Sequence, residues 1–319
     1  MPDTHIPVRT IPVLDLGSVF AGDGRALEET AARLRHICQT LGFFTIVNHG
    51  IPWSLVDATF AETARFHGQP LDAKMACKID AIMRGYLPLR GGTSRASQVV
   101  QARKPNENEA FFIKRSAEGA GPEDRWPSDL PGFRDSVLRY YDAMDALAQR
   151  LMPLYARALD LPADFFADLC DKPLTSLRLT HYPPMSYGAD EFGLAPHTDS
   201  TFLTLLAQNK VPGLQIRTPE GDWIEAQVTP EAFVVNTGDV LHRWSNGRFL
   251  STPHRALNLS AGPRYAIPYF FHPNPDTRLD CLPSCAVAGE TPRFPAMTSA
   301  EYLAWFRSQN YDHIRGEAA

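Results

Sequence analysis

Nowhere in the 319 residues do eighteen apolar residues run together, so no segment reads as a membrane-spanning helix. The opening decapeptide, MPDTHIPVRT, lacks the apolar stretch of a secretory signal, and a cytoplasmic location is the expectation. Lysine and arginine never gather into a basic stripe, and the formal charge of -5 is spread without long runs of one sign. Nucleic acid is therefore not an expected partner. Cysteine is scarce, five residues at 38, 77, 170, 281 and 285, an odd number with no C-x-x-C pair. That disfavours a disulfide framework and a zinc finger, and Cys281 and Cys285 are expected to be free thiols. No H-E-x-x-H occurs, which speaks against a zinc hydrolase. Internal repeats, low-complexity tracts and an obvious interdomain linker are also missing.

What is present is an ordinary globular composition, 44% hydrophobic and 21% charged, in a chain long enough to bury a sizeable core. IPVLDLG at 11–17 reads as a strand. Leu27, Ala31, Leu34, Cys38 and Leu41 then recur at helical spacing up to Gly42, a natural stop. Phe43 to Val47 reads as a second strand, closed by Asn-His-Gly. A helix is expected from about Ser54 with Val56, Phe60 and Ala64 inward. Residues 84–129 carry no sustained period and read as loops and short strands. Val137, Tyr141, Met144, Ala148, Leu151 and Tyr155 mark a long amphipathic helix, with a kink expected at Pro153.

From Leu177 onward the pattern changes to short strands divided by turn residues: TFLTLLAQ, GLQIRT, DWIEAQ, AFVVNTG, RALNLSA and RYAIPYFFHP. Their spacing predicts an antiparallel, jelly-roll-like barrel. The expected class is α+β with a mainly β core, helices of the N-terminal half flanking the barrel. The expected division is 8–130 as an α/β region, 131–172 as a supporting helix, 173–277 as the barrel and 278–319 as a terminal loop and helix, together one compact unit.

His197 and Asp199 form the one H-x-D of the chain, immediately before an apolar strand. Residues i and i+2 of an extended segment point to one side, so both side chains can reach a common centre. His254 heads a later strand, with enough chain between for a Greek-key path to return it beside the pair. Two neutral imidazoles and a carboxylate on one face of an iron ion leave three positions open for chemistry. The other histidines have plainer readings: His49 caps or packs at a strand end, while His36 and His67 sit on helix faces. Arg264 stands before a hydrophobic strand with no acid among its strand neighbours. If buried, it needs a partner, and a carboxylate ligand would serve.

These motifs, with NHGI at 48–51, RGYLP at 84–88, GLQIR at 213–217 and VVNTGDVLHRWSNGRFLSTPHR at 234–255, resemble the iron(II)/2-oxoglutarate-dependent oxygenases, in the branch similar to isopenicillin N synthase. They run in family order from about residue 9 to residue 275. The resemblance implies a double-stranded β-helix with Fe(II) held by His197, Asp199 and His254. It implies 2-oxoglutarate with its distal carboxylate on Arg264 and Tyr182, and O2 consumed while succinate and CO2 leave. A small metabolite would be hydroxylated or desaturated, in secondary metabolism, by a monomer or homodimer. Two positions depart from the family pattern: Ala266 replaces the serine of the R-x-S motif, and Thr180 replaces an asparagine two residues before Tyr182. Binding of 2-oxoglutarate is expected to survive, with Tyr182 and Thr180 or a water assisting Arg264. Arg84, Arg90, Phe111, Phe270 and the segment around Tyr187 fall where relatives build the substrate cavity. Two alternatives remain: an oxidase whose arginine pocket holds the substrate's own carboxylate without 2-oxoglutarate, and a non-catalytic ligand-binding barrel.

Overall fold

The structure is a computed structural model that describes residues 8–80, 82–93, 99, 104–115 and 125–310. In chain order its elements are β1 (Val8–Arg9), β2 (Val13–Asp15), α1 (Gly17–Phe20), α2 (Gly24–Thr40), β3 (Phe43–Val47), α3 (Trp53–His67), α4 (Leu71–Met75), β4 (Gly85–Leu87), β5 (Glu109–Arg115) and α5 (Phe133–Ala158). There follow β6 (Leu174–Tyr182), β7 (Leu194–His197), β8 (Leu203–Gln208), β9 (Leu214–Arg217), β10 (Trp223–Ala226), β11 (Phe233–Thr237), α6 (Asp239–Trp244), β12 (His254–Ala256), β13 (Arg264–His272) and α7 (Ser299–Asn310). Among these residues no helix is long and apolar enough to cross a membrane.

The strands form two sheets, ordered β2-β3-β11-β8-β13-β6-β5-β4 and β1-β10-β9-β12-β7. Strands distant in sequence are neighbours, as the Greek-key reading of the second half requires, and the result is the expected double-stranded β-helix with flanking helices. The larger sheet is longer than the sequence pattern implies. Residues 84–129, read as loops and short strands, contribute the seven-residue β5, which pairs with β6 along its whole length.

Strand alternation gives that sheet two different faces. On β6, Leu177 and Leu179 are fully buried in the main core, while Arg178, Thr180 and Tyr182 line a cavity. The core lies between the sheet's outer face and helices α2, α3 and α5, and draws on residues from Leu14 to Tyr302. Each large side chain removed from water there contributes about 1.5–3 kcal/mol.

Helix α2 starts where Asp23 caps it, accepting from the backbone N–H groups of Arg25 and Ala26 at 2.9 and 3.1 Å. It ends at Gly42, whose positive φ of 70° lets its N–H return to the carbonyl of Ile37. Helix α5 continues through Pro153 for a further turn, so the proline does not end it. The inward face of α3 differs from expectation. Val56, Thr59, Thr63, Phe66 and His67 are buried, whereas Phe60 and Ala64 are only half-buried. Both threonines satisfy their hydroxyls on the carbonyl four residues back, over 2.8 Å, so they behave as small core residues. RALNLSA contributes only its first residues to β12, after which the chain turns at Asn258.

Candidate active site

His197 ends β7 and His254 begins β12, and the two are paired directly across that antiparallel ladder. Their ring centroids lie 4.3 Å apart. Asp199 follows β7 and its Oδ1 lies 3.6 Å from His197 Nε2 and 3.7 Å from His254 Nε2. One ligand atom from each residue falls within 4.8 Å of the others. The three residues that the sequence singled out for a metal are thus brought together.

The surroundings orient all three. His197 Nδ1 faces the carbonyl of Ala195 at 2.9 Å and His254 Nδ1 that of Thr252 at 3.1 Å. Each Nδ1 therefore carries the proton, and each Nε2 presents a lone pair toward Asp199 Oδ1. Oδ2 of Asp199 is already used, accepting from Thr204 Oγ1 at 2.7 Å and Asn236 Nδ2 at 2.8 Å. Burial would raise the Asp199 carboxyl, but the positive charge that His254 and His197 carry when protonated, with the Asn236 bond, outweighs it and holds it well below the ordinary range, so that it ionises before the imidazoles lose their protons. Burial, reinforced by His197, pushes the His254 imidazole down to about 4 against the pull of Asp199. A neutral imidazole and an ionised carboxylate are the states a metal needs.

Glycine at 238 is part of this construction. A Cβ there would lie 2.3 Å from the carbonyl oxygen of Thr201 and 2.8 Å from that of Asp199. The close approach lets the N–H of Asp239 bond the Asp199 carbonyl at 2.7 Å, tying the ligand loop to α6.

The three residues open onto a cavity of about 740 Å³ between the two sheets. Arg264 lines it from β13 and is 1% exposed, although it carries a full charge. Its Nη2 donates to Gln208 Oε1 at 3.0 Å, and its guanidinium carbon lies 4.8 Å from the centroid of the Tyr182 ring. Among the described residues its Nε and Nη1 have no hydrogen-bond partner, and no carboxylate forms an ion pair with it. Burial lowers its pKa. A buried guanidinium with two unmet nitrogens fits a carboxylate ligand. Thr180 and Ala266 are buried opposite each other beside it, both lining the cavity, and Ala266 also faces Gln208.

The residues expected around a substrate divide. Arg84 and Phe270 line the cavity, Arg84 with an ion pair to Asp80 at 3.2 Å. Arg90 does not; it pairs with Glu107 at 2.8 Å. Phe111 points into the main core, and its neighbour Phe112 faces the cavity instead. Tyr187 also lies outside, its hydroxyl accepting from the N–H of Asn258. His49 packs as read, against Phe233 and the carbonyl of Glu231. All five cysteines are free thiols.

A second cluster, His67, Glu109 and His181, escaped the sequence reading because its members come from α3, β5 and β6. Glu109 accepts from Lys74 at 2.8 Å and from the Tyr86 hydroxyl, and faces His181 Nδ1 at 2.8 Å. Lys74 already compensates this carboxylate, so the group reads as a buried charge network on the sheet's outer face rather than a metal site.

A double-stranded β-helix with a His/Asp/His set at one end, beside a cavity carrying an unmatched cation, defines the class of non-haem metal oxygenases. Residues 174–273 match the model of the 2OG-Fe(II) oxygenase superfamily, and residues 11–132 that of the non-haem dioxygenase in morphine synthesis N-terminal region. The 2-oxoglutarate-Fe(II) type oxidoreductase hxnY of Emericella nidulans is 34% identical, covering 94% of this chain and 90% of its own. A full-length Neurospora crassa protein solved in complex with alpha-KG and thymine superposes with a TM-score of 0.84 at 28% identity, covering 94% of this chain and 96% of that one. JOX2 in complex with 2OG, Fe and JA has a TM-score of 0.81 at 26% identity, covering 99% and 91%. The chain belongs to the 2OG-Fe(II) oxygenase superfamily. It is an enzyme of the dioxygenase type, with Fe(II) and 2-oxoglutarate as its cofactor and cosubstrate.

Proposed function

We propose that the protein oxidises a C–H bond of a small metabolite, by hydroxylation or desaturation, with 2-oxoglutarate and oxygen converted to succinate and carbon dioxide. His197 Nε2, Asp199 Oδ1 and His254 Nε2 hold the iron, and Arg264 with Tyr182 holds the distal carboxylate of 2-oxoglutarate. The ferrous ion and the oxo acid supply the oxidising power when bound, and the protein positions them. The observation that carries this reading is the pairing of an oriented His/Asp/His set with a buried arginine whose Nε and Nη1 lack partners in one cavity.

The roles follow from the contacts. Thr204 and Asn236 occupy Asp199 Oδ2, which leaves Oδ1 as the atom that would meet the metal, and a set of only three protein ligands would leave room for 2-oxoglutarate and oxygen. Gln208 fixes the Arg264 guanidinium in place, so the incoming carboxylate meets a prearranged fork. Thr180 is the hydroxyl nearest in register to the vacant place of the family serine, which Ala266 leaves apolar. The Neurospora crassa relative was solved with thymine and JOX2 with JA, which supports a small-molecule substrate. The free thiols support a reducing, cytoplasmic setting, and the protein acts as a monomer or homodimer.

Anaerobic calorimetric titration of the Fe(II)-loaded protein with 2-oxoglutarate tests the reading. Saturable binding is expected, and none at millimolar concentration overturns it. Substituting His197→Ala or His254→Ala should abolish iron-dependent succinate formation with the circular dichroism spectrum unchanged; retained turnover contradicts the ligand assignment.

A further inference from the structure

The loop that carries His197 and Asp199 is tied to α6 by backbone and side chain together. The N–H of Asp239 bonds the Asp199 carbonyl at 2.7 Å, and that of Val240 the Thr201 carbonyl at 3.1 Å. The Asp239 side chain adds a further tie, because its Oδ2 accepts from Thr198 Oγ1 at 3.2 Å. Thr198 stands between the two ligands and shares a peptide bond with each. Holding its side chain therefore restrains the backbone from which both ligands spring.

The same carboxylate oxygen has a second donor, from a distant part of the chain. Tyr302 of α7 gives its hydroxyl to Asp239 Oδ2 at 2.9 Å. Its ring is buried in the main core, with the Arg243 guanidinium carbon 5.4 Å from its centroid. Packing fixes the ring, and the ring aims the hydroxyl. Helix α7 itself opens on a capping box, in which the Thr298 N–H bonds Glu301 Oε2 at 2.7 Å and the Glu301 N–H bonds Thr298 Oγ1 at 3.2 Å. The N–H groups of Ser299 and Ala300 then bond the carbonyls of Thr277 and Pro275, both at 2.9 Å. Beyond this anchored first turn, Leu303, Ala304 and Arg307 line the cavity, while Trp305 is exposed.

Two hydrogen bonds thus join a helix of the cavity wall to the residue between the metal ligands. We propose that Asp239 and Tyr302 are positioning residues for the metal set, and that through them the seating of α7 on the cavity and the binding of the metal favour one another.

The physical argument runs in both directions along the contacts. With Tyr302 in place, Asp239 Oδ2 is held where the Thr198 hydroxyl meets it; without that hydroxyl the carboxylate loses a donor and is less firmly aimed at Thr198. A metal that fixes His197 and Asp199 also fixes Thr198 between them, which steadies the oxygen that Tyr302 meets. Hydroxyls that donate to a carboxylate make stronger bonds than neutral pairs, so a chain of two can carry a measurable effect. Partners one step behind a metal ligand commonly set its orientation and its affinity for the ion. A coupling free energy between two sites belongs equally to both, so an effect of α7 on the metal requires an effect of the metal on α7.

The proposal rests on the metal assignment of the preceding section, and the test keeps the two apart. The apoprotein is titrated with Mn(II) by equilibrium dialysis, with His254→Ala alongside. A parent that binds Mn(II) no better than His254→Ala overturns the metal assignment and this proposal with it. Tyr302→Phe keeps the buried ring and removes the hydroxyl, and should weaken Mn(II) binding about threefold to tenfold. Asp239→Ala should weaken it about tenfold to a hundredfold, and the double variant no further than Asp239→Ala alone, since both act on one chain of contacts. Should Asp239→Ala not fold, Thr198→Val takes its place with the same pattern expected. Amide hydrogen exchange along α7, followed by mass spectrometry, should slow when Mn(II) binds the parent and should not respond to Mn(II) in Tyr302→Phe. A hydroxyl that merely stabilises the fold would not give α7 this dependence on the metal. Undiminished Mn(II) affinity in Tyr302→Phe, additive losses in the double variant, or α7 exchange that ignores Mn(II) in the parent would each overturn the proposal while leaving the metal assignment standing.

Discussion

Asn236 donates from Nδ2 to Oδ2 of Asp199 over 2.8 Å, reaching from β11 to the loop ahead of β8. With Thr204 it keeps that oxygen away from the metal position and fixes the carboxylate plane. Groups of this kind are worth about tenfold to a hundredfold in metal affinity. Asn236→Leu should weaken Mn(II) binding by about that factor without unfolding the protein, as equilibrium titration of the variant would reveal.

Arg264 is held at a cost when no carboxylate accompanies it, because two of its nitrogens are buried without partners. Replacing buried ion pairs by well-packed apolar side chains is often neutral or stabilising by about 1–4 kcal/mol, and a buried charge without its counter-ion costs more to hold than a pair. Arg264→Leu should therefore raise the melting temperature of the apoprotein while abolishing the further rise that 2-oxoglutarate gives the Mn(II)-loaded parent. Melting curves with and without the oxo acid check both halves, and a lower apoprotein melting temperature would contradict the account.

Ala266 faces Thr180 on one side and Gln208 on the other, and places a methyl group where the family motif has a hydroxyl. Restoring it with Ala266→Ser adds one hydrogen bond to the distal carboxylate, about 0.5–1.5 kcal/mol, or up to about tenfold in affinity. Thr180→Ala should act in the opposite sense. Calorimetric dissociation constants for 2-oxoglutarate would show the pair of effects, and an unchanged value in both variants would place the carboxylate elsewhere.

Glu109 carries the pH dependence of the outer face. Burial raises its pKa, but the bond from His181, the nearby His67 imidazole and the ion pair with Lys74 outweigh burial and hold it well below the ordinary value. A carboxylate with a depressed folded pKa contributes stability above its unfolded pKa of about 4.3, and that contribution is lost as the pH falls below it. Glu109→Gln leaves Lys74 without its counter-charge and should cost about 3 kcal/mol at neutral pH. The gap between parent and variant should narrow steadily below about pH 4 in denaturant titrations. A constant gap from about pH 7 to about pH 3 would show that ionisation of Glu109 does not contribute.

Legibility followed the range of the interaction. His197 and Asp199 could be read as partners because two residues apart on an extended chain share a side, and that geometry is local. Arg264 could be read from the lack of an acid near it on its own strand. Asn236, Thr204 and Gln208 were invisible because each meets its partner across strands whose pairing the sequence does not state. Phe111 was expected at the substrate and Phe112 took that place. Both are apolar, so the two-residue period has no contrast with which to choose the face, and a one-residue slip of register exchanges them. Arg178 was missed for a related reason: it faces the cavity between two rings that neighbouring strands bring to it.

By itself the chain's order of residues determined the β-rich second half, the helices that cover it and the types of group available for chemistry, since these depend on local periodicity and side-chain identity. Only the tertiary structure decided which groups share a cavity. Pairing β12 with β7 and β5 with β6 sets distant residues within a few ångströms, and the alternation of each strand then sends one neighbour to the core and the next to the site.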